Sequence, residues 1–147
     1  PTELDDSVGE HIAKVGGEVG ATTGRPRRCG WLDAVLLSHT VKLNGIDGLC
    51  LTKIDVLDGL DEIKICTDYE GNSLNDLLET MSIEEVKPSY ISMPGWEKPC
   101  AGIRDYEQLD GKAKSYIEKI ESLCGAPIVM ISTGPRREDT IVRQYPL

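Results

Sequence analysis

Residues 106–124 constrain the fold more than any other stretch of this chain. Leu109, Ala113, Tyr116, Ile117, Ile120 and Leu123 fall on one face of a helix, with lysines and glutamates on the other. Gly125-Ala126-Pro127 ends that helix, because glycine accepts the left-handed cap conformation and proline cannot continue the hydrogen-bond ladder. Ile128-Val129-Met130-Ile131 follows at once and has the character of a buried strand. Helix, short turn and apolar strand make an α/β unit, and Ser132-Thr133-Gly134-Pro135 falls at the strand's carboxyl end. Open α/β sheets place their ligands beyond such ends.

A second apolar run behaves alike. Residues 46–52 predict a buried strand that delivers Lys53-Ile54-Asp55 to its carboxyl end. An aspartate there can accept both N1–H and N2–H of guanine, a paired contact that adenine cannot make, while the lysine stem lies along the face of the base. Thr52-Lys53-Ile54-Asp55 resembles the guanine-specificity motif of GTP-binding proteins on that logic. Taken alone, the tetrapeptide equally fits a strand running into a turn, with Asp55 satisfying backbone N–H groups. Ser132 and the backbone around Gly134 could contact a base or a ribose, although Ser-Thr-Gly-Pro by itself is only a turn.

The third loop is Gly20-Ala21-Thr22-Thr23-Gly24-Arg25-Pro26-Arg27-Arg28. Its glycines let the backbone approach a ligand, its threonines offer hydroxyls, and its arginines offer planar forks that match carboxylate or phosphate. Pro26 fixes φ and separates the directions of the arginines beside it. Such a cluster of basic and small residues in a chain of net charge −9 points to an anion site rather than a solvated turn. Residues 31–43 follow as an amphipathic helix, with Asp33 near its start. The loop would then precede a helix amino terminus, whose free N–H groups favour anions.

The remaining elements are shorter. Residues 8–15 form a helix stopped by Gly16-Gly17, and residues 62–69 alternate as a strand. Residues 90–93 make another strand before the Pro94-Gly95 turn, with Trp96 capping the core from a loop. Residues 140–143 form a last strand, and the stretch 70–86 holds a brief helix or an irregular excursion. His11 and His39 read as packing or surface residues.

Composition narrows the function classes. A chain of 147 residues fits one domain, and 25 acidic against 16 basic residues argue against a nucleic-acid binder. No apolar run reaches the roughly 20 residues of a membrane helix, and the start Pro1-Thr2-Glu3-Leu4 has no signal-peptide character. The five cysteines are scattered, without a Cys-x-x-Cys pair or ligand spacing to the two histidines. Reduced thiols in a cytoplasmic protein, and no metal held by these residues, are the expectation.

The loop G-A-T-T-G-R-P-R-R-C-G-W-L-D, with Leu51-Thr52-Lys53-Ile54-Asp55-Val56-Leu57-Asp58-Gly59 and Ser132-Thr133-Gly134-Pro135 in order after it, resembles the adenylosuccinate synthetase family. A Met-Pro-Gly-Trp stretch at residues 93–96 agrees. The resemblance runs from Pro1 to Leu147 and matches the carboxyl-terminal third or so of that family. It implies the carboxyl-terminal part of a P-loop-NTPase-like mixed sheet with flanking helices, in an α/β segment spanning residues 1–147.

It further implies a ligase joining IMP to L-aspartate with GTP as co-substrate and magnesium as cofactor, through a 6-phosphoryl-IMP intermediate, in a homodimer. Position by position, Ala21, Thr22, Thr23, Gly24, Arg25, Pro26 and Arg27 would form the aspartate and IMP loop. Arg25 would reach IMP, and Arg27 the GTP side. Lys53, Ile54 and Asp55 would hold guanine, with Ser132, Thr133 and Gly134 completing the pocket. No G-x-x-x-x-G-K-[ST] phosphate loop is found in the sequence. The family's phosphate loop, catalytic acid and base and magnesium site are expected in an absent amino-terminal part, leaving this segment inactive alone. Two other classes remain beside this one: a stand-alone guanine-nucleotide-binding module, and an inert structural domain whose three loops are ordinary turns.

Overall fold

The computed structural model describes residues 1–71 and 86–144. Helix α1 (Ser7–Gly16) opens the chain, capped by the Asp6 carboxylate, which accepts from the N–H groups of Val8 and Gly9. Strand β1 (Leu32–Asp33) runs straight into α2 (Ala34–Asn44), followed by β2 (Leu49–Leu51) and a 3-10 turn (Ile54–Leu57). Strands β3 (Glu62–Tyr69) and β4 (Pro88–Pro94), a 3-10 turn (Tyr106–Gln108), α3 (Gly111–Cys124), β5 (Ile128–Ser132) and β6 (Thr140–Val142) complete the described elements. The excursion expected within residues 72–85 lies outside the described residues.

The strands form two mixed three-stranded sheets with the same internal logic. In the first, of order β1-β3-β4, β1 pairs parallel to β3 with Leu32 opposite Ile65, and β3 pairs antiparallel to β4. In the second, of order β2-β5-β6, β2 pairs parallel to β5 with Leu51 opposite Ile131, and β5 pairs antiparallel to β6. The expected α/β class with helices flanking a mixed arrangement is therefore what these residues build. Parallel pairing sets the carboxyl ends of β2 and β5 side by side, so the loops that follow them lie together.

The core is aliphatic, centred on Ile63, Ile65, Ile117, Ile120, Ile128 and Ile131, with Trp31, Trp96 and Tyr116 around it. Helix α3 supplies Ala113, Tyr116, Ile117, Ile120 and Cys124 from one face, as its periodicity requires. Among the described residues no helix is long and apolar enough to cross a membrane.

Three expected elements differ in extent. The helix read at 31–43 begins at Ala34, because Asp33 accepts the N–H groups of Val35 and Leu36 at 3.1 Å and so sets the start. Trp31 lies before it, buried in the core. The helix read at 106–124 is interrupted, since the Asp105 and Asp110 carboxylates each cap a separate turn. Side-chain capping by aspartate competes with helix propagation, and Leu109 is left extended between them while still buried. The run at 46–52 yields only three strand residues, and Cys50 among them is exposed.

Candidate functional site

Beyond β2 the chain makes an unusual turn at Lys53, whose φ of 60° makes it the one non-glycine residue with positive φ among the described residues. That conformation costs an L-residue about 1–2 kcal/mol. It persists because both sides are anchored. Ile54 is almost fully buried, and the Lys53 ammonium donates to the Gly16 carbonyl at 2.8 Å and to the Glu18 carboxylate. With its head tied down, Lys53 presents its aliphatic stem.

Two residues further on, Asp55 carries a buried Oδ1 with no hydrogen-bond partner. Burial raises the Asp55 pKa, and the charges of Asp58 and Asp139 add to it, while its own backbone N–H and Lys53 pull the other way. A buried carboxylate oxygen without a donor costs free energy that a ligand's N–H can recover.

At the neighbouring strand end, Ser132 Oγ donates to the Gly134 carbonyl at 3.0 Å. Gly134 sits against Asp139: a Cβ there would stand 2.7 Å from Asp139 Oδ2. Asp139 is buried and held by Arg104 at 3.3 Å. A cleft of about 330 Å³ opens between the two strand ends, lined by Gly16, Thr52, Lys53, Asp55, Ser132 and Gly134 among others. Its size suits a base or a nucleoside.

Two of the strand-end candidates do not reach this cleft with their side chains, and none of residues 21–27 lines it. Ile54 packs in the core. Thr133 is fully buried, with Oγ1 donating to the Ile103 carbonyl at 2.7 Å, its N–H to the Asp139 carbonyl, and its own carbonyl accepting from Gly102. Thr133 therefore shapes the loop rather than offering a free polar group.

The arginine-rich stretch is a β-hairpin. Val19 bridges Pro26, Arg27 N–H donates to the Glu18 carbonyl at 2.9 Å, and Gly20 N–H to the Arg25 carbonyl at 2.8 Å. Gly24, at φ 65°, turns the tip. Residues 21–28 are exposed. Arg27 pairs with Glu18 at 3.4 Å and Arg28 with Glu3 at 3.3 Å. No carboxylate among the described residues lies within ion-pair distance of the Arg25 guanidinium, leaving its five donors free.

One expectation about this hairpin fails. The N–H groups at the start of α2 are not open to an anion, because the Asp33 carboxylate already occupies them and also accepts the Tyr69 hydroxyl at 2.6 Å. Any anion site here is built by the arginines and not by a helix terminus.

Glu18 and Asp58 are the residues that the sequence reading missed. Glu18 Oε1 meets Lys53 and Oε2 meets Arg27, so one carboxylate joins the hairpin to the cleft. The Glu18–Arg27 pair could have been found from the hairpin register, whereas the Lys53 contact needed the fold. Asp58 accepts from Trp96 Nε1, Cys100 N–H and Ala101 N–H, tying the loop after β4 to the turn after β2.

Known proteins resemble this chain along nearly its whole length. The adenylosuccinate synthetase family profile matches residues 1–141. Adenylosuccinate synthetase from Alcanivorax borkumensis is 52% identical over 99% of this chain and 35% of its own length. That from Geotalea uraniireducens is 49% identical with the same coverage. The solved structure of fully ligated adenylosuccinate synthetase from Plasmodium falciparum superposes with a TM-score of 0.86 at 39% identity, over 97% of this chain and 35% of that one. The chain thus spans about a third of the length of the relatives it matches (35%). Because the family profile and these relatives run along nearly its whole length, the chain belongs to the adenylosuccinate synthetase family.

Proposed function

We propose that this chain supplies the guanine pocket and the substrate-anion loop of a ligase that joins IMP to L-aspartate at the expense of GTP. The observation that carries the reading is the unpartnered, buried Oδ1 of Asp55 in a cleft shared with Lys53, Ser132 and Gly134. Guanine offers N1–H and an N2 amine on one edge, and a carboxylate accepts both. Adenine presents an unprotonated N1 on that edge and would leave Asp55 facing a lone pair. The Lys53 stem flanks the base, and Ser132 with the Gly134 backbone contacts base or ribose.

The hairpin does the second task. Arg25, whose fork is free, takes a carboxylate of aspartate and reaches IMP, and Arg27 lies on the GTP side. Ala21, Thr22, Thr23, Gly24 and Pro26 give this loop its backbone N–H groups, hydroxyls and shape. Phosphoryl transfer and the following amine attack depend mainly on positioning and charge stabilisation, which is what such donors provide.

Magnesium would neutralise charge on the transferring phosphoryl group. Among the described residues no group of three or more His, Cys, Asp or Glu could hold that ion. A cytoplasmic homodimer is the setting that the family suggests.

The test is base discrimination in the full-length enzyme. Asp55→Asn should raise the KM for GTP by at least tenfold and improve use of xanthosine triphosphate relative to GTP, since xanthine carries an acceptor where guanine carries its amine. Equal treatment of both nucleotides by wild type and variant would end the guanine reading.

A further inference from the structure

The carboxyl end of α1 is built as a holder for cations. Gly17 closes the helix, and Glu18 is fixed directly after it, its N–H donating to the Ala13 carbonyl at 2.9 Å and its carbonyl accepting from Arg27. The Glu18 side chain is 16% exposed, while those of its partners Lys53 and Arg27 are 46% and 57% exposed. A sheltered, backbone-fixed carboxylate thus sits between two cations on more open, longer side chains. Lys53 is held a second time by the Gly16 carbonyl, at the negative end of the α1 dipole. The Lys53 hydrogen bond, more than any other influence, keeps the Glu18 carboxyl below the usual carboxylate range, so it is ionised at neutral pH.

These two cations belong to different loops with different tasks. Lys53 sets the left-handed turn from which Asp55 enters the cleft, and Arg27 stands at the base of the hairpin that presents Arg25. Each uses its own oxygen of Glu18, so displacing either cation moves the anchor of the other. We propose that Glu18 is a positioning residue that sets the guanine loop and the arginine hairpin relative to one another, so that a change at this one side chain loosens nucleotide and aspartate together. The proposal rests on the reading of the two loops given above. Glu18 itself touches neither ligand in it.

Glu18→Gln in the full-length enzyme is the test, because the amide keeps the shape and the backbone pairing but presents an NH2 group to one of the two cations. The expected result is a rise of about three- to tenfold in the KM for GTP and in the KM for aspartate, the size of losing a partly exposed charge-assisted contact in each loop. Combining Glu18→Gln with Lys53→Met should add little to the GTP defect, and combining it with Arg27→Leu little to the aspartate defect, as coupled sites require.

A carboxylate that only supports the fold would lower the active fraction, and so kcat, with both KM values unchanged; that result overturns the proposal. So does a rise in only one KM. Asp55→Asn and Arg25→Leu serve as controls, each expected to affect its own ligand. If they show their defects while Glu18→Gln behaves as wild type, the Glu18 assignment alone fails. If they too behave as wild type, the reading of the loops fails and takes the Glu18 assignment with it. Glu18→Asp, which keeps the charge but is one methylene too short to span both cations, gives the same two-KM readout should the Gln variant fold poorly.

Discussion

The Trp96 indole N–H donates to Asp58 Oδ1 at 2.5 Å, joining the loop after β4 to the turn that carries Lys53 and Asp55. The same oxygen accepts Cys100 N–H at 2.8 Å, and Oδ2 accepts Ala101 N–H at 3.0 Å. Trp96 and Cys100 are buried, so these donors have no water to fall back on. Asp58→Ala should therefore cost about 2–4 kcal/mol of stability, read as a shift in the urea midpoint. Asp58→Asn should cost less, because its carbonyl oxygen still serves Trp96 and Cys100 and only the Ala101 contact is lost.

The turn beside it tolerates no side chain. A Cβ on Gly95 would stand 1.6 Å from the Leu60 carbonyl oxygen, and the next nearest atoms, the carbonyl carbons of Leu60 and Asp61, are backbone too. Gly95 N–H also donates to the Asp61 carbonyl at 2.8 Å, so the strand end cannot simply back away. Gly95→Ala should destabilise by about 3 kcal/mol or more, at or beyond the upper end for overpacking. A urea midpoint equal to that of wild type would show that the two turns are less closely opposed.

Asp55 should trade stability for function. Its pKa is raised in the folded state, chiefly by burial, so the folded protein binds a proton there more readily than the unfolded chain. The stabilising contribution of the protonated form is complete below the unfolded pKa and is lost as pH rises through the folded one. At neutral pH the ligand-free protein thus carries a penalty, and Asp55→Asn should raise its unfolding temperature while weakening guanine nucleotide binding. Acidification should weaken nucleotide binding from a higher pH than an ordinary aspartate would dictate, since only the ionised carboxylate accepts both base N–H groups. Thermal scans with and without GDP, across pH, measure both effects. A variant that loses both stability and nucleotide would show Asp55 to be a structural cap.

Arg25 should act on substrate binding with almost no effect on stability. It is exposed and makes no ion pair with the described residues, so Arg25→Leu should leave thermal unfolding almost unchanged. In the full-length enzyme it should lower kcat/KM for aspartate at least tenfold, the loss of a charge-assisted contact worth about 1.5–3 kcal/mol. Arg25→Lys should restore little, because an ammonium keeps the charge and loses the two-pronged fork. Steady-state kinetics with aspartate varied at saturating IMP and GTP give the answer. Unchanged kinetics in the folded Leu variant would reduce the hairpin to a solvated turn.

What the sequence determined by itself was local and periodic. The stripe from Leu109 to Leu123, the alternation of residues 62–69 and the glycines after each helix fixed most elements, because side-chain spacing and cap chemistry act within a few residues. The glycine-threonine-arginine loop and the two strand-end motifs were legible for the same reason: each is a short contiguous run. Boundaries failed where an aspartate side chain competed with the backbone, at Asp33 and Asp110, a contest that sequence spacing does not rank.

Only the tertiary structure decided which loops meet. Parallel pairing of β2 with β5 brings Asp55 and Ser132 to one cleft, although nearly eighty positions of sequence separate them. Thr133 turns inward instead, its hydroxyl donating to the Ile103 carbonyl 30 positions earlier in the chain. The same folding places Glu18 between Lys53, 35 residues away, and Arg27, 9 residues away. Contacts of that kind follow from strand register and helix docking, which sum many weak apolar contributions over the whole core. No single motif encodes them, so the charge that links the two loops stayed out of sight until the fold put it there.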